Sequence, residues 1–179
     1  GGRGKFSYNK SFGKYLDIGL PLDVAHFFKM ADLAQGLPNS VVRAAYLQEE
    51  YKQSNDERPA GRTSAFAPED LFSNELGVIF GSSLRTRDDF GNELEIFLKE
   101  AQKLFTTNEL NGGKYLTDQN IERLRGIAQK YYDTDDLTTF GKNSDIYLLR
   151  NIKVINDNAQ NGILPLTTKP ELGGTPASE

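Results

Sequence analysis

The chain has 179 residues and a formal net charge of −4, with no cysteine, no tryptophan and a single histidine. This length fits one domain, and no apolar run approaches the roughly 20 residues that span a bilayer. The lack of cysteine excludes disulfides, a thiol nucleophile, and zinc or iron–sulfur sites built on thiolates. One histidine excludes a metal centre built on several histidines. We therefore predict neither a metal nor a cofactor.

Residues 1–19 are predicted to form an extended N-terminal arm in which aromatic and basic residues are interleaved. The residues concerned are Arg3, Lys5, Phe6, Tyr8, Lys10, Phe12, Lys14 and Tyr15. Such a pattern could stack bases and contact phosphates, or the rings could pack on the body and leave the charges in water. The acidic balance of the whole chain favours the second interpretation and argues against a nucleic-acid partner.

Two helices are predicted in the first third of the chain. Pro21 suits a first helical turn, so the first helix is expected over Leu22–Gln35, where Gly36-Leu37-Pro38 ends it. Asn39 or Ser40 is expected to cap the second helix, which runs from residue 41 to about residue 53. Residues 54–65 contain asparagine, aspartate, proline and glycine, and we expect a loop there.

Three more helices are predicted further along. Ala67-Pro68-Glu69-Asp70 is a strong start signal for a helix that reaches about Leu84, because proline tolerates the first turn and carboxylates favour its positive end. Apolar spacing predicts an amphipathic helix over Phe90–Phe105. Thr117 is expected to cap a helix over Asp118–Tyr132. The acidic stretch after it, residues 133–136, lacks the pattern of a calcium loop and is interpreted as a helix-end loop.

The C-terminal region has weaker signals. A short helix is expected over Ser144–Arg150, and residues 152–155 could instead begin a strand. Residues 156–179 are rich in proline and glycine and should form an extended or disordered tail. We therefore predict a mostly α fold, with a single compact bundle of five or six helices over residues 20–155, between the arm and the tail.

The first candidate site pairs Asp23 with His26. Three residues apart on a helix, the two side chains can touch, and a carboxylate that orients an imidazole is half of a general-base arrangement. The alternative is structural. A carboxylate in the first turn stabilises a helix in any case, and His26 could be a satisfied core histidine.

The second candidate feature is the helix that begins at Pro68. Ser73, Gly77 and Gly81 recur every four residues and leave one face almost without side chains. Each helical glycine costs roughly 1 kcal/mol relative to alanine, so this face should receive either a neighbouring helix or a ligand. Asn74 and Glu75 lie beside this face, and Glu69 and Asp70 lie one turn earlier. A small polar site would exist if Asp70 or Asn74 faced His26.

Other catalytic arrangements are supported by residue type alone. With one histidine, a serine triad would have to use His26, and the nearby serines are Ser64, Ser73, Ser82 and Ser83. Glu49-Glu50 with Asp70 could form a two-carboxylate glycosidase site. The sequence contains no P-loop, no dinucleotide-binding glycine motif, no nucleophile elbow and no H-E-x-x-H motif.

Two stretches carry a resemblance: D-V-A-H-F-F-K-M-A from Asp23, and S-A-F-A-P-E-D-L-F-S-N-E-L-G-V-I-F-G from Ser64. They resemble helical modules near the C-termini of large secreted bacterial proteins of polymorphic-toxin and injection-system type. The matching residues are Asp23, His26, Phe27, Glu69, Asp70, Ser73, Asn74, Leu76, Gly77 and Gly81. The resemblance implies an exported protein and fits a chain start that lacks methionine. It implies no particular catalytic activity.

Two functions follow as hypotheses. The first is an interaction module of a secreted or exported bacterial protein, which binds a protein partner or assembles with itself through its helix grooves and extended ends. The alternative is an effector hydrolase in which His26 is the general base, Asp23 orients it, and Asp70 or Asn74 positions substrate or stabilises charge.

Overall fold

A computed structural model describes residues 15–57, 66–84, 90–109 and 111–141. Over these residues the fold is mostly α, as predicted, with five helices packed together. The helices are α1 Val24–Gly36, α2 Asn39–Glu57, α3 Pro68–Ser83, α4 Phe90–Thr107 and α5 Asp118–Tyr132. A two-stranded antiparallel sheet, β1 Tyr15–Asp17 and β2 Pro21–Asp23, precedes them, and a 3-10 helix, Leu137–Phe140, follows. The expected helix over Ser144–Arg150, the alternative strand and the tail lie outside the described residues.

The start of the first predicted helix is wrong, because residues 21–23 form strand β2. Tyr15 pairs with Asp23 and Asp17 pairs with Pro21 in the hairpin. Proline is tolerated there because one edge of a two-stranded sheet needs no donor. The turn uses Gly19 at φ +89, whose N–H donates to Asp17 Oδ1 at 2.8 Å. Residues 15–19 are thus part of a hairpin and not of an extended arm, while residues 1–14 lie outside the described residues.

Helix α3 is the most buried of the described elements. Every residue from Pro68 to Gly81 is buried, which is typical of a helix surrounded by neighbours. A Cβ at Gly77 would collide with the backbone oxygen of Phe27, and one at Gly81 would collide with the backbone of Ala31. From Gly77 to Gly81 the contacted residue moves from Phe27 to Ala31, in the same direction along α1. Helices α1 and α3 therefore run parallel and lie close together. The side-chain-poor face of α3 therefore receives α1.

Aromatic rings from α1, α3, α4 and the 3-10 helix pack together in the core. Phe27, Phe80 and Phe97 form one cluster, with the ring centroids of Phe80 and Phe97 5.0 Å apart. Phe72 contacts Phe105 and Phe140, with centroids 5.2 and 4.8 Å away respectively. Phe140 comes from the 3-10 helix, which the sequence analysis did not predict. These contacts join α4 and the 3-10 helix to α3.

Local end signals account for the remaining boundaries. The predicted start of α3 and both ends of α5 are confirmed; Thr117 Oγ1 caps α5 by accepting from the N–H of Asn120. The acidic stretch is a helix-end loop, as predicted, and Asp133 takes the left-handed conformation that closes α5. Helix α2 is about six residues longer than predicted, because it begins two residues earlier and ends four residues later. Within the described residues, no helix combines the length and apolar character that crossing a bilayer requires.

Candidate functional site

The junction of β2 and α1 positions Asp23 and His26. Asp23 is the N-cap of α1, 1% exposed, and its Oδ1 accepts from the backbone N–H of His26 at 3.0 Å. Its other oxygen, Oδ2, lies 3.0 Å from Nδ1 of the His26 ring. One carboxylate thus caps the helix and also holds the imidazole, so the structural and functional interpretations of this pair are compatible.

Helix α3 brings Asp70 to the same imidazole. Asp70 Oδ1 lies 3.8 Å from His26 Nδ1, and the Asp70 side chain is 8% exposed. Ser73, on the next turn, fixes the relation between the two elements, because its Oγ accepts from the backbone N–H of Asp23 at 2.7 Å. The parallel packing of α1 on α3 therefore joins residues that are 44 positions apart in the sequence.

The two ring nitrogens of His26 face different surroundings. Nδ1 is shielded from solvent and faces both carboxylates, although its N–H does not point straight at either acceptor. The side chain as a whole is 34% exposed, so its accessible part is the side away from Nδ1. The side of the ring away from Nδ1 comprises Nε2 and Cδ2.

The carboxylates change the acid–base properties of the site. Burial lowers the pKa of His26, but the contact with Asp23 and the charges of Asp70 and Asp23 outweigh it, so the pKa is raised above its usual value. Burial raises the pKa of Asp70 well above the usual range, and the nearby carboxylate of Glu50 adds to this shift. Asp70 and His26 are therefore both more prone to hold a proton than the isolated side chains.

Asn74 is a further buried polar residue of α3. It follows Asp70 by one turn and so lies on the same face of α3. It is 1% exposed, and its Oδ1 is buried without a hydrogen-bond partner. A buried amide oxygen of this kind is unusual in a folded protein and calls for an explanation.

The other predicted groups are placed elsewhere or are already engaged. Gly77 and Gly81 contact α1 and leave no space for a ligand between the two helices. The hydroxyls of Ser82 and Ser83 donate to Ile79 O, and Ser64 lies outside the described residues. Glu49 pairs with Lys29 on the surface at 3.0 Å, whereas the adjacent Glu50 is buried and influences Asp70.

Another buried acid, Glu75, was not predicted as a site residue from the sequence. It is fully buried and accepts from Arg43 Nη2 at 2.8 Å, Arg123 Nε at 2.6 Å and the Tyr46 hydroxyl at 2.8 Å. Burial and the adjacent carboxylate raise the pKa of Tyr46. A cavity of about 470 Å³ adjoins this network, lined among others by Tyr46, Arg123 and Lys130. The sequence signal for this network was a charged residue inside the apolar run of α3. Its partners could not be predicted, because they lie on α2 and α5, far from Glu75 in the sequence.

The site has no counterpart that a comparison identifies. Models of known protein families, curated proteins and solved structures give no match to this chain.

Proposed function

We propose that the chain is a hydrolase in which His26 is the general base. The observation that carries the proposal is the position of the ring, with Nδ1 3.0 Å from Asp23 and 3.8 Å from Asp70 while the side chain remains 34% exposed. A carboxylate beside Nδ1 favours the tautomer that leaves Nε2 without a proton. Nε2 can then remove a proton from a water molecule that attacks the substrate.

The neighbouring residues have distinct roles in this proposal. Asp23 orients the ring through a position that the cap of α1 fixes. In its ionised form Asp70 stabilises the positive charge that develops on the imidazole, because its Oδ1 lies within 4 Å of Nδ1. Asn74 positions substrate or stabilises charge. Water is the favoured nucleophile, because the nearby serine hydroxyls are engaged. The hydroxyl of Ser73 is hydrogen-bonded to the backbone of Asp23, and those of Ser82 and Ser83 are hydrogen-bonded to the backbone of Ile79.

The test is hydrolysis of chromogenic carboxylic esters, phosphodiesters, glycosides and peptides by the full chain and by His26→Gln. The variant removes the base and keeps a side chain of similar polarity. Lys29→Gln, one turn away on the exposed side of α1, is the matched control. We expect His26→Gln to lose at least a hundredfold in rate per folded molecule while Lys29→Gln keeps it. Equal rates in His26→Gln and the unsubstituted chain would refute the proposal.

A protein partner is the second candidate function. Its support is a group of large apolar side chains that are 40–49% exposed: Tyr15, Leu16, Leu37 and Val41. The first two lie on β1, and Leu37 and Val41 flank the junction of α1 and α2. Because α1 occupies the face of Ser73, Gly77 and Gly81, such a partner would bind at these outer positions. Leu37→Ser with Val41→Ser should abolish binding or self-association, measured by light scattering, and unchanged assembly would count against this function.

The setting in a secreted or exported bacterial protein is a proposal that rests on the sequence resemblance. An effector hydrolase of this kind should slow the growth of a bacterial host that expresses it. We expect this growth defect to disappear with His26→Gln at equal protein levels. A defect of the same size with both proteins would contradict the link between toxicity and the site.

A further inference from the structure

We propose that Asp23, His26, Asp70 and Asn74 form a binding site for a divalent transition-metal cation. This departs from the expectation from the sequence, which predicted no metal. One imidazole, two carboxylates and one amide oxygen form a mixed set of ligands that suits ions such as Mn²⁺ and Zn²⁺. The juxtaposition of Asp23 and His26 on one element with Asp70 and Asn74 on another is the basis of the proposal.

The separations of the candidate ligand atoms are close to those found around a single cation. Ligand atoms bonded at about 2.1 Å to a tetrahedral or octahedral ion lie about 3.0–3.4 Å from one another. His26 Nδ1 lies 3.0 Å from Asp23 Oδ2 and 3.8 Å from Asp70 Oδ1. One ligand atom from each of the three residues falls within 4.8 Å of the others. Small side-chain rotations therefore suffice to place all three around one ion.

Asn74 supplies an independent observation that points to a ligand. Its side chain is 1% exposed, and its Oδ1 has no hydrogen-bond partner. Asn74 lies one turn beyond Asp70, on the face that also contains Ser73 and Gly77, both of which contact residues at the start of α1. As the fourth ligand of an ion bound beside Asp70, this amide oxygen would gain the partner that it otherwise lacks.

Metal binding would regulate the proposed base. A neutral imidazole coordinated through Nδ1 carries its proton on Nε2, so Nε2 can no longer accept a proton from water. A bound cation should therefore inhibit hydrolysis. This consequence rests on the proposed function, whereas the binding itself does not.

The experiment is titration of Mn²⁺, and separately of Zn²⁺, into the chelator-treated full chain by calorimetry. We expect one ion per chain, with affinity reduced tenfold or more in His26→Gln and in Asp70→Asn. Glu49→Gln, an exposed acid on α2, is the matched control and should bind as the unsubstituted chain does. The absence of binding up to millimolar concentrations of either ion, or equal affinities in all four proteins, would overturn the proposal.

A second measurement uses the unsubstituted chain and therefore does not depend on whether the variants fold. The chain has one histidine, so ¹⁵N spectroscopy resolves a single pair of ring nitrogens. Zn²⁺ should shift the Nδ1 resonance most, and a shift confined to Nε2 would overturn the site. Binding without any hydrolytic activity would support this inference and remove the proposed function. Hydrolysis at an unchanged rate in saturating Zn²⁺ would refute the inhibition.

Discussion

At the scale of single residues, two buried acids on α3 have opposite environments. Glu75 is surrounded by Arg43, Arg123 and Tyr46, which satisfy its charge. Asp70 has the imidazole of His26 at 3.8 Å and the carboxylate of Glu50 in its vicinity. A residue whose environment opposes its charge reduces stability, and such residues are concentrated at functional sites. The two acids should therefore respond differently to neutralisation.

Replacing Asp70 with asparagine should stabilise the fold at neutral pH in the presence of a chelator. Burial, followed by the charge of Glu50, raises the pKa of Asp70 well above its unfolded value of 3.8. Ionisation therefore favours the unfolded state, and the stability present below the unfolded pKa is lost as the pH rises. We expect a gain on the order of 1 kcal/mol at pH 7 that disappears near pH 3, measured by urea unfolding. A loss at pH 7 would mean that Asp70 is structural.

Replacing Glu75 with glutamine should destabilise the fold. The substitution leaves two arginines without their carboxylate, a change that costs about 3–5 kcal/mol for a fully buried pair. Because the side chains of Arg43 and Arg123 are 20% and 42% exposed, we expect a smaller loss of about 2 kcal/mol. Glu95→Gln, which breaks an exposed pair with Lys99 on α4, is the control and should change little. Equal urea midpoints for both variants would contradict the assigned role of Glu75.

At the scale of elements, the contact between α1 and α3 determines whether the site forms. The start of α3 and both ends of α5 could be predicted, because proline, carboxylates and a capping threonine act within one turn. The hairpin could not, since Pro21 is equally compatible with a first helical turn and with an edge strand. The pairing of Tyr15 with Asp23, which decides between them, depends on residues before the predicted helix.

Alanine substitutions at three glycines should distinguish the stability lost through helix packing from the stability gained through helix propensity. Gly77→Ala and Gly81→Ala force a Cβ into the backbone of α1, and we expect each to cost about 1–3 kcal/mol or more. Gly126→Ala in α5 meets no atom within 4 Å and should stabilise by about 0.5–1 kcal/mol through helix propensity. Thermal unfolding of the three variants tests this. Stabilisation in all three would show that α1 and α3 are not in close contact.

At the scale of the whole molecule, the fold brings residues from two elements to one imidazole. Asp23 and His26 could be paired from their spacing alone, and the sequence offered Asp70 and Asn74 only as conditional neighbours. Their meeting depends on the parallel direction of α1 and α3 and on the bond from the Asp23 N–H to Ser73. Neither is a local property. We therefore propose that the packing of α1 on α3 places Asp70, with the cap residue Asp23, beside His26 and so fixes the tautomer of the proposed base.

The most direct test is the ¹⁵N spectrum of the neutral His26 ring in the full chain, in the presence of a chelator. Free neutral imidazole side chains favour the tautomer with the proton on Nε2. With Asp23 3.0 Å and Asp70 3.8 Å from Nδ1, we predict that the proton resides on Nδ1 and that Nε2 has the shift of an unprotonated nitrogen. A protonated Nε2 with an unprotonated Nδ1 would contradict the account.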